Sequence, residues 1–120
     1  MEYKLTEGAT VTEADALQQA AEMGFHGLAF DLTVEKDESL HWHEFDSVTW
    51  VIEGTGTVLR GDSEKVELKP GCRIEAPAGF LHRALAGPPL RLVLATNLPY
   101  SEWTMPIDKD PAGRPEHLSV

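Results

Sequence analysis

Leu40 to His82 reads LHWHEFDSVTWVIEGTGTVLRGDSEKVELKPGCRIEAPAGFLH, a run of short apolar or alternating segments, each cut by a turn signal. Val48 to Ile52 stops at Gly54-Thr55-Gly56, Thr57 to Arg60 at Gly61-Asp62-Ser63, and Lys65 to Leu68 at Pro70-Gly71. Arg73 to Glu75 stops at Pro77-Ala78-Gly79, before Phe80 to Leu85. Strands of this length between Gly, Pro, Asn and Asp clusters are the signature of an all-β domain. Leu40 to His43 opens the run as a predicted strand, Leu28 to Val34 precedes it, and Leu90 to Thr96 follows it. Eight short strands at regular spacing predict a sandwich or a closed barrel.

Outside that region the texture changes. Thr12 to Met23 is built of good helix formers, with Thr12 as N-cap, Asp15 at the capping-box spacing and Gly24 as the stop. Leu17, Ala20 and Ala21 offer only a narrow apolar stripe, which places this helix on the outside of the barrel. Beyond Asn97 the chain carries Pro99, Pro106, Pro111 and Pro115 among charges, a composition that disfavours ladders. That tail is expected to be extended, with Trp103 and Met105 lying on the barrel or on a second subunit, and its last ten residues are candidates for disorder. The organisation is therefore an N-terminal segment over 1–24, a barrel over 25–97 and a tail over 98–120.

Composition narrows the function. The chain has 120 residues, with twenty acidic against ten basic ones, and a formal charge of −10 repels phosphate backbones and anionic lipid headgroups. Nucleic-acid and membrane partners are not expected. No apolar run approaches the roughly 18–20 residues of a bilayer span, and no basic-then-apolar leader opens the sequence, so a cytoplasmic location is expected. A single cysteine, Cys72, excludes an internal disulfide and a thiolate-rich metal site. Any metal would rest on histidine and carboxylate.

His41 and His43 stand at i and i+2, a spacing that on a strand turns both imidazoles to one face, where they can share a metal. Alone, such a pair is as compatible with two solvated histidines. A third histidine, His82, follows a Pro-x-Gly turn at the start of a new strand. At this point the sequence resembles the cupin superfamily. Gly71, Pro77, Gly79 and His82 stand at the positions of the family's second motif, and His41, His43 and Gly54 at those of its first. Trp50-Val51-Ile52-Glu53-Gly54 is similar to the family's aromatic-V-L-E-G strand end. The resemblance covers roughly residues 25 to 96 and implies a jelly-roll barrel, a double-stranded β-helix, with His41, His43 and His82 as metal ligands.

Two positions depart from the family pattern. Ser47 occupies the slot of its glutamate ligand, and Ala86 that of its final asparagine. Strand parity groups Ser47, Thr49, Val51 and Glu53 on one face and Asp46, Val48, Trp50 and Ile52 on the other, so Asp46 reaches a metal only through a bulge or shifted turn. Three arrangements stay open: three histidines, three histidines plus Asp46, and a pocket without metal. Ser47, Thr49 and Trp50 are the candidate substrate-pocket residues.

Three histidines on one divalent ion leave positions for a bidentate substrate and dioxygen on Fe(II), or for water and substrate on Mn, Ni or Zn. Histidine-only ligation favours anionic, chelating substrates such as carboxylates or enolates. The leading expectation is an oxidoreductase of dioxygenase type acting on a small molecule. A non-oxidative isomerase or lyase on the same site is an alternative, as is a ligand-binding sensor without turnover or a vestigial barrel acting through partner contact. A homodimer is expected from the resemblance, the strand edges and the tail. Several other residues have plain readings: the tryptophans as core or interface, Arg60, Arg73, Arg83 and Arg91 as solvated or paired with acids, Cys72 as an incidental thiol, and His26 and His117 as surface residues. Glu53 is placed at the barrel rim.

Overall fold

A computed structural model describes residues 1–118. Its strands are β1 (Lys4–Glu7), β2 (His26–Leu32), β3 (Ser47–Glu53), β4 (Gly56–Arg60), β5 (Lys65–Leu68), β6 (Cys72–Ala76), β7 (His82–Ala84) and β8 (Leu90–Thr96), with one helix, α1 (Glu13–Glu22). They form two antiparallel sheets, ordered β1-β6-β3-β8-β2 and β5-β4-β7. The chain is thus the jelly-roll barrel that the family resemblance implied, within the sandwich-or-barrel class that the strand spacing predicted. Strand β1 was not legible in the sequence: it pairs with β6 through Leu5 and Ile74, and its KLTE segment carries little apolar signal.

Alternation along β3 sorts the interior into two cores. Val48 and Trp50 face outward, where Ala16 and Ala20 of α1 cover them together with Val93 and Ala95 of β8. Val51 faces inward among Val66, Leu68, Cys72, Leu90 and Leu92. Helix α1 is capped as expected, Thr12 Oγ1 accepting the Asp15 N–H at 3.1 Å, and it lies outside the barrel. Its packed stripe is Ala16 and Ala20, fully buried, with Leu17 half-buried against the same core; Ala21, expected in the stripe, turns to solvent.

The link between β3 and β4 turns the chain from one sheet into the other. Gly54 sits there at φ +89°, and a Cβ would lie 2.5 Å from the Pro89 carbonyl oxygen. His41 and Trp42 do not form the predicted strand. They make isolated bridges, His41 with His82 and Trp42 with Lys109, so that the first histidine segment continues the small sheet and the tail pairs onto it.

The tail lies as a strap across the barrel through residue 118. Trp103 stacks on Phe45 with ring centroids 4.6 Å apart, Trp42 Nε1 donates to the Asp110 carbonyl, and Arg114 donates to the Gly79 carbonyl. Short 3-10 turns at Pro111–Gly113 and Glu116–Leu118 replace the disorder expected there, because these side-chain and backbone bonds hold the segment. The last two residues of that expectation, 119–120, lie outside the described residues. Met105 does not lie on the barrel: it is 78% exposed. No helix among the described residues is long and apolar enough to cross a membrane.

Gly54→Ala is expected to destabilise the protein by about 1–3 kcal/mol, measured by urea unfolding, since it combines left-handed backbone strain with a clash against Pro89. Equal midpoints for the two proteins would show that the corner does not constrain the fold.

Candidate metal centre

The histidines come together because backbone pairing joins the two segments that carry them. His41 and His82 exchange both N–H···O=C bonds at 3.0 Å, and the Gly79 N–H donates to the His43 carbonyl. The turn before His82 is set by Asp46, whose Oδ1 accepts the Ala78 N–H at 2.8 Å. The three ring centroids lie 4.5–5.1 Å apart, and one ring nitrogen of each residue lies within 4.8 Å of the others.

Each Nδ1 faces a backbone carbonyl: Ser39 at 2.7 Å for His41, Ile107 at 3.0 Å for His43 and Phe80 at 2.9 Å for His82. A carbonyl oxygen only accepts, so each Nδ1 carries the proton and each Nε2 keeps its lone pair. Anchoring of this kind fixes both tautomer and ring orientation in histidine ligands of metals. Burial holds the His43 pKa below the usual histidine value against the Ile107 hydrogen bond, and nearby His41 lowers it further. At His82, burial and then the neighbouring His43 push the pKa down to about 4. Both are neutral donors at pH 7. The donor set therefore fits a divalent ion of the Fe, Mn, Ni or Zn group.

The imidazoles form part of the wall of a cavity of about 410 Å³ between the two sheets. Ser47 and Thr49 line it, as parity along β3 implied, and the rest is largely aliphatic and aromatic: Phe30 and Leu32 from β2, Val58 from β4, Ile74 from β6, Leu92 and Leu94 from β8. Trp50 does not line the cavity. It is 1% exposed, on the opposite face of β3 beneath α1, where its Nε1 donates to Gln19 and the Arg73 guanidinium stands 5.4 Å over its ring. Asp46 does not join the histidines either, because the Ala78 N–H engages its carboxylate.

Two carboxylates that spacing did not reveal stand at the centre. Asp108 Oδ1 is 3.6 Å from His41 Nε2 and 3.7 Å from His43 Nδ1, and Glu38 Oε1 is 3.9 Å from His41 Nε2. Both carboxylates stand on the side of the centre open to solvent, 32% and 56% exposed. Glu38 lies three residues before His41. Nothing in the sequence around Asp108 ties it to the histidines, since its position follows from the bridge between Trp42 and Lys109. Among the arginines, Arg60 lines the cavity; it stacks 4.2 Å over the Tyr3 ring and pairs with Glu64 at 3.1 Å. Arg91 pairs with Glu13 at 2.7 Å and Arg73 lies 3.9 Å from Glu75, as surface pairing implied. Cys72 is buried, its sulfur 3.8 Å from the Glu67 carbonyl, as an incidental thiol would be.

No family model and no curated protein matches the sequence. Solved structures do. A Neisseria meningitidis protein is similar at TM-score 0.52 and 26% identity, over 61% of this chain and 73% of its own. The polyketide cyclase RemF from Streptomyces resistomycificus is similar at TM-score 0.52 and 26% identity, over 72% of this chain and 64% of its own. A cupin-2 domain protein from Shewanella frigidimarina is similar in fold at TM-score 0.50 and 23% identity, over 60% of this chain and 69% of its own. With its two antiparallel sheets, both histidine motifs at their spacings and these likenesses, the chain has the cupin superfamily fold.

Proposed function

We propose that the protein is a metal-dependent enzyme of small-molecule metabolism, its ion held by His41, His43 and His82, and that its substrate joins a chelating, oxygen-bearing head to an apolar body. One observation carries this reading: three histidines converge in the wall of an apolar cavity, each with its Nδ1 tied to a backbone carbonyl. When bound, the ion supplies Lewis acidity and, as Fe(II), reactivity toward dioxygen. The chain supplies the rest. Phe30, Ile74, Leu92 and Leu94 bury the apolar body and keep water from the reacting end, while Ser47 and Thr49 offer hydroxyls along the same wall. The substrate class thereby widens from small carboxylates and enolates to chelators with a substantial apolar portion.

Oxygenase chemistry on Fe(II) is the first reading. Non-oxidative chemistry of isomerase, lyase or cyclase type is the second, favoured by the likeness to RemF, described as a polyketide cyclase. We further propose a homodimer, supported by exposed Tyr100 and Met105 on the strap.

Elemental analysis of protein purified without chelator is expected to find near-stoichiometric iron, manganese, nickel or zinc that disappears in His41→Ala and His82→Ala; wild-type protein that stays empty after reconstitution overturns the reading. Iron-loaded protein offered aryl- or alkyl-substituted β-diketones and keto acids is expected to consume oxygen in an electrode cell, and product formation without oxygen uptake selects the second reading. A pH dependence follows as well. The folded pKa of His82 lies near 4 and its unfolded value near 6.5, so the unfolded chain binds more protons between them. Stability of the metal-free protein is expected to be full above about pH 6.5 and to fall as pH drops toward 4, followed by thermal melts; a melting temperature flat across that window contradicts a neutral, buried His82.

A further inference from the structure

We propose that Asp108 is the carboxylate ligand of the centre, delivered by the C-terminal strap, so that strap closure and metal occupancy form one coupled equilibrium. The inference rests on the metal-centre reading above. It starts from an elimination among the acids around the histidines. Ser47, in the slot of the family's glutamate, has no anionic oxygen to offer. Asp46 accepts from Ala78, Glu44 accepts from Thr104 and faces the Lys109 ammonium at 3.4 Å, and Glu38 Oε1 accepts the Ala84 N–H at 2.9 Å. Asp108 differs: among the described residues no donor hydrogen-bonds to its carboxylate, which faces the imidazoles of His41 and His43 at 3.6 and 3.7 Å.

Its neighbours hold it there. On one side the Ile107 carbonyl accepts from His43 Nδ1, and on the other Lys109 exchanges both backbone bonds with Trp42, beside His41 and His43. Lys109 Nζ ties the strap to itself through Thr104 and the Pro106 carbonyl. The Asp108 backbone is thus pinned on both flanks, which aims its side chain and leaves only its own torsions to adjust. Ligand atoms about 2.0–2.2 Å from one ion stand about 3 Å apart at right angles. Asp108 Oδ1 stands 3.6 Å from His41 Nε2, on the metal-facing side, but approaches His43 at Nδ1, so its side chain must rotate toward the three Nε2 atoms to join them.

Coupling follows from the same contacts. The strap supplies the acceptor that orients His43 and the carboxylate that completes the centre, so an ion that binds the closed arrangement draws the strap shut. By linkage, a closed strap raises metal affinity by the same factor.

The test uses the full-length protein and cobalt(II) as probe, in wild type, Asp108→Asn, Asp108→Glu and Asp46→Asn. Visible absorption and competition titration read the metal, and hydrogen exchange reads the amides of residues 103–114 with and without cobalt. Asp108→Asn is expected to weaken cobalt binding by at least roughly 10–100-fold, change the d–d spectrum and leave the metal-free melting temperature unaltered. Asp108→Glu is expected to recover part of the affinity, and Asp46→Asn to keep the spectrum while lowering the metal-free melting temperature. Cobalt is expected to slow exchange across 103–114 in wild type but not in Asp108→Asn. A wild type that binds cobalt with the same affinity and spectrum as Asp108→Asn overturns this inference alone. Affinity loss accompanied by a lower metal-free melting temperature and no recovery in Asp108→Glu also overturns it, by making Asp108 structural. A wild type that binds no cobalt overturns the metal-centre reading beneath it.

Discussion

The two backbone hydrogen bonds between His41 and His82 are the constraint on which the candidate site depends. They bring together two segments separated by four strands, and without them the first histidine pair has no reason to meet the third. Because the pairing is antiparallel and local, it also places His43 over the Pro77–Gly79 turn, where its carbonyl accepts the Gly79 N–H. Asp46 fastens the same turn from the other side. The ligand geometry is therefore a property of the backbone, and the side chains add the final orientation through three Nδ1–carbonyl bonds.

Around that link, strand parity does most of the partitioning. Each position of β3 is committed to the helix side or the cavity side, and the hydroxyls of Ser47 and Thr49 fall on the cavity side together with the inward residues of β8. Helix α1 closes the outer face with alanines, so Trp50 is sandwiched where no ligand reaches. The cavity keeps its apolar walls because the large aromatic that might have filled it points the other way.

Much of this was legible in the sequence, and the failures are informative. The barrel was readable from turn signals because Gly54 and Gly71 adopt positive φ and Pro77 precedes such a turn at Gly79, conformations and sequence features that few alternatives share. The histidine triad was readable because the His41–His43 spacing suits extended backbone and His82 follows the Pro77–Gly79 turn. Assigning Trp50 to the pocket contradicted the parity that had been used correctly for Ser47 and Thr49. Asp46 was the acid nearest the expected slot in sequence, yet a short polar side chain beside a turn hydrogen-bonds locally before it reaches a distant ion. Asp108 and β1 were not readable at all. Their places are set by pairing with segments far along the chain, and neither the KLTE segment nor the proline-rich tail has a periodicity that names its partner.

The electrostatics explain why a carboxylate delivered by the strap is physically coherent. Neutral His43 and His82 in an apolar wall balance none of an ion's charge, and a divalent ion there is costly unless an anion accompanies it. An anion buried permanently at Ser47 would carry the same cost in the metal-free protein. Asp108 avoids both: its side chain is 56% exposed, so it remains solvated while it faces His41 and His43. A carboxylate on the solvent side of the centre is hydrated when metal is absent and needs only a side-chain rotation, not a backbone movement, to turn toward an ion, and the apolar side of the cavity is left to the substrate.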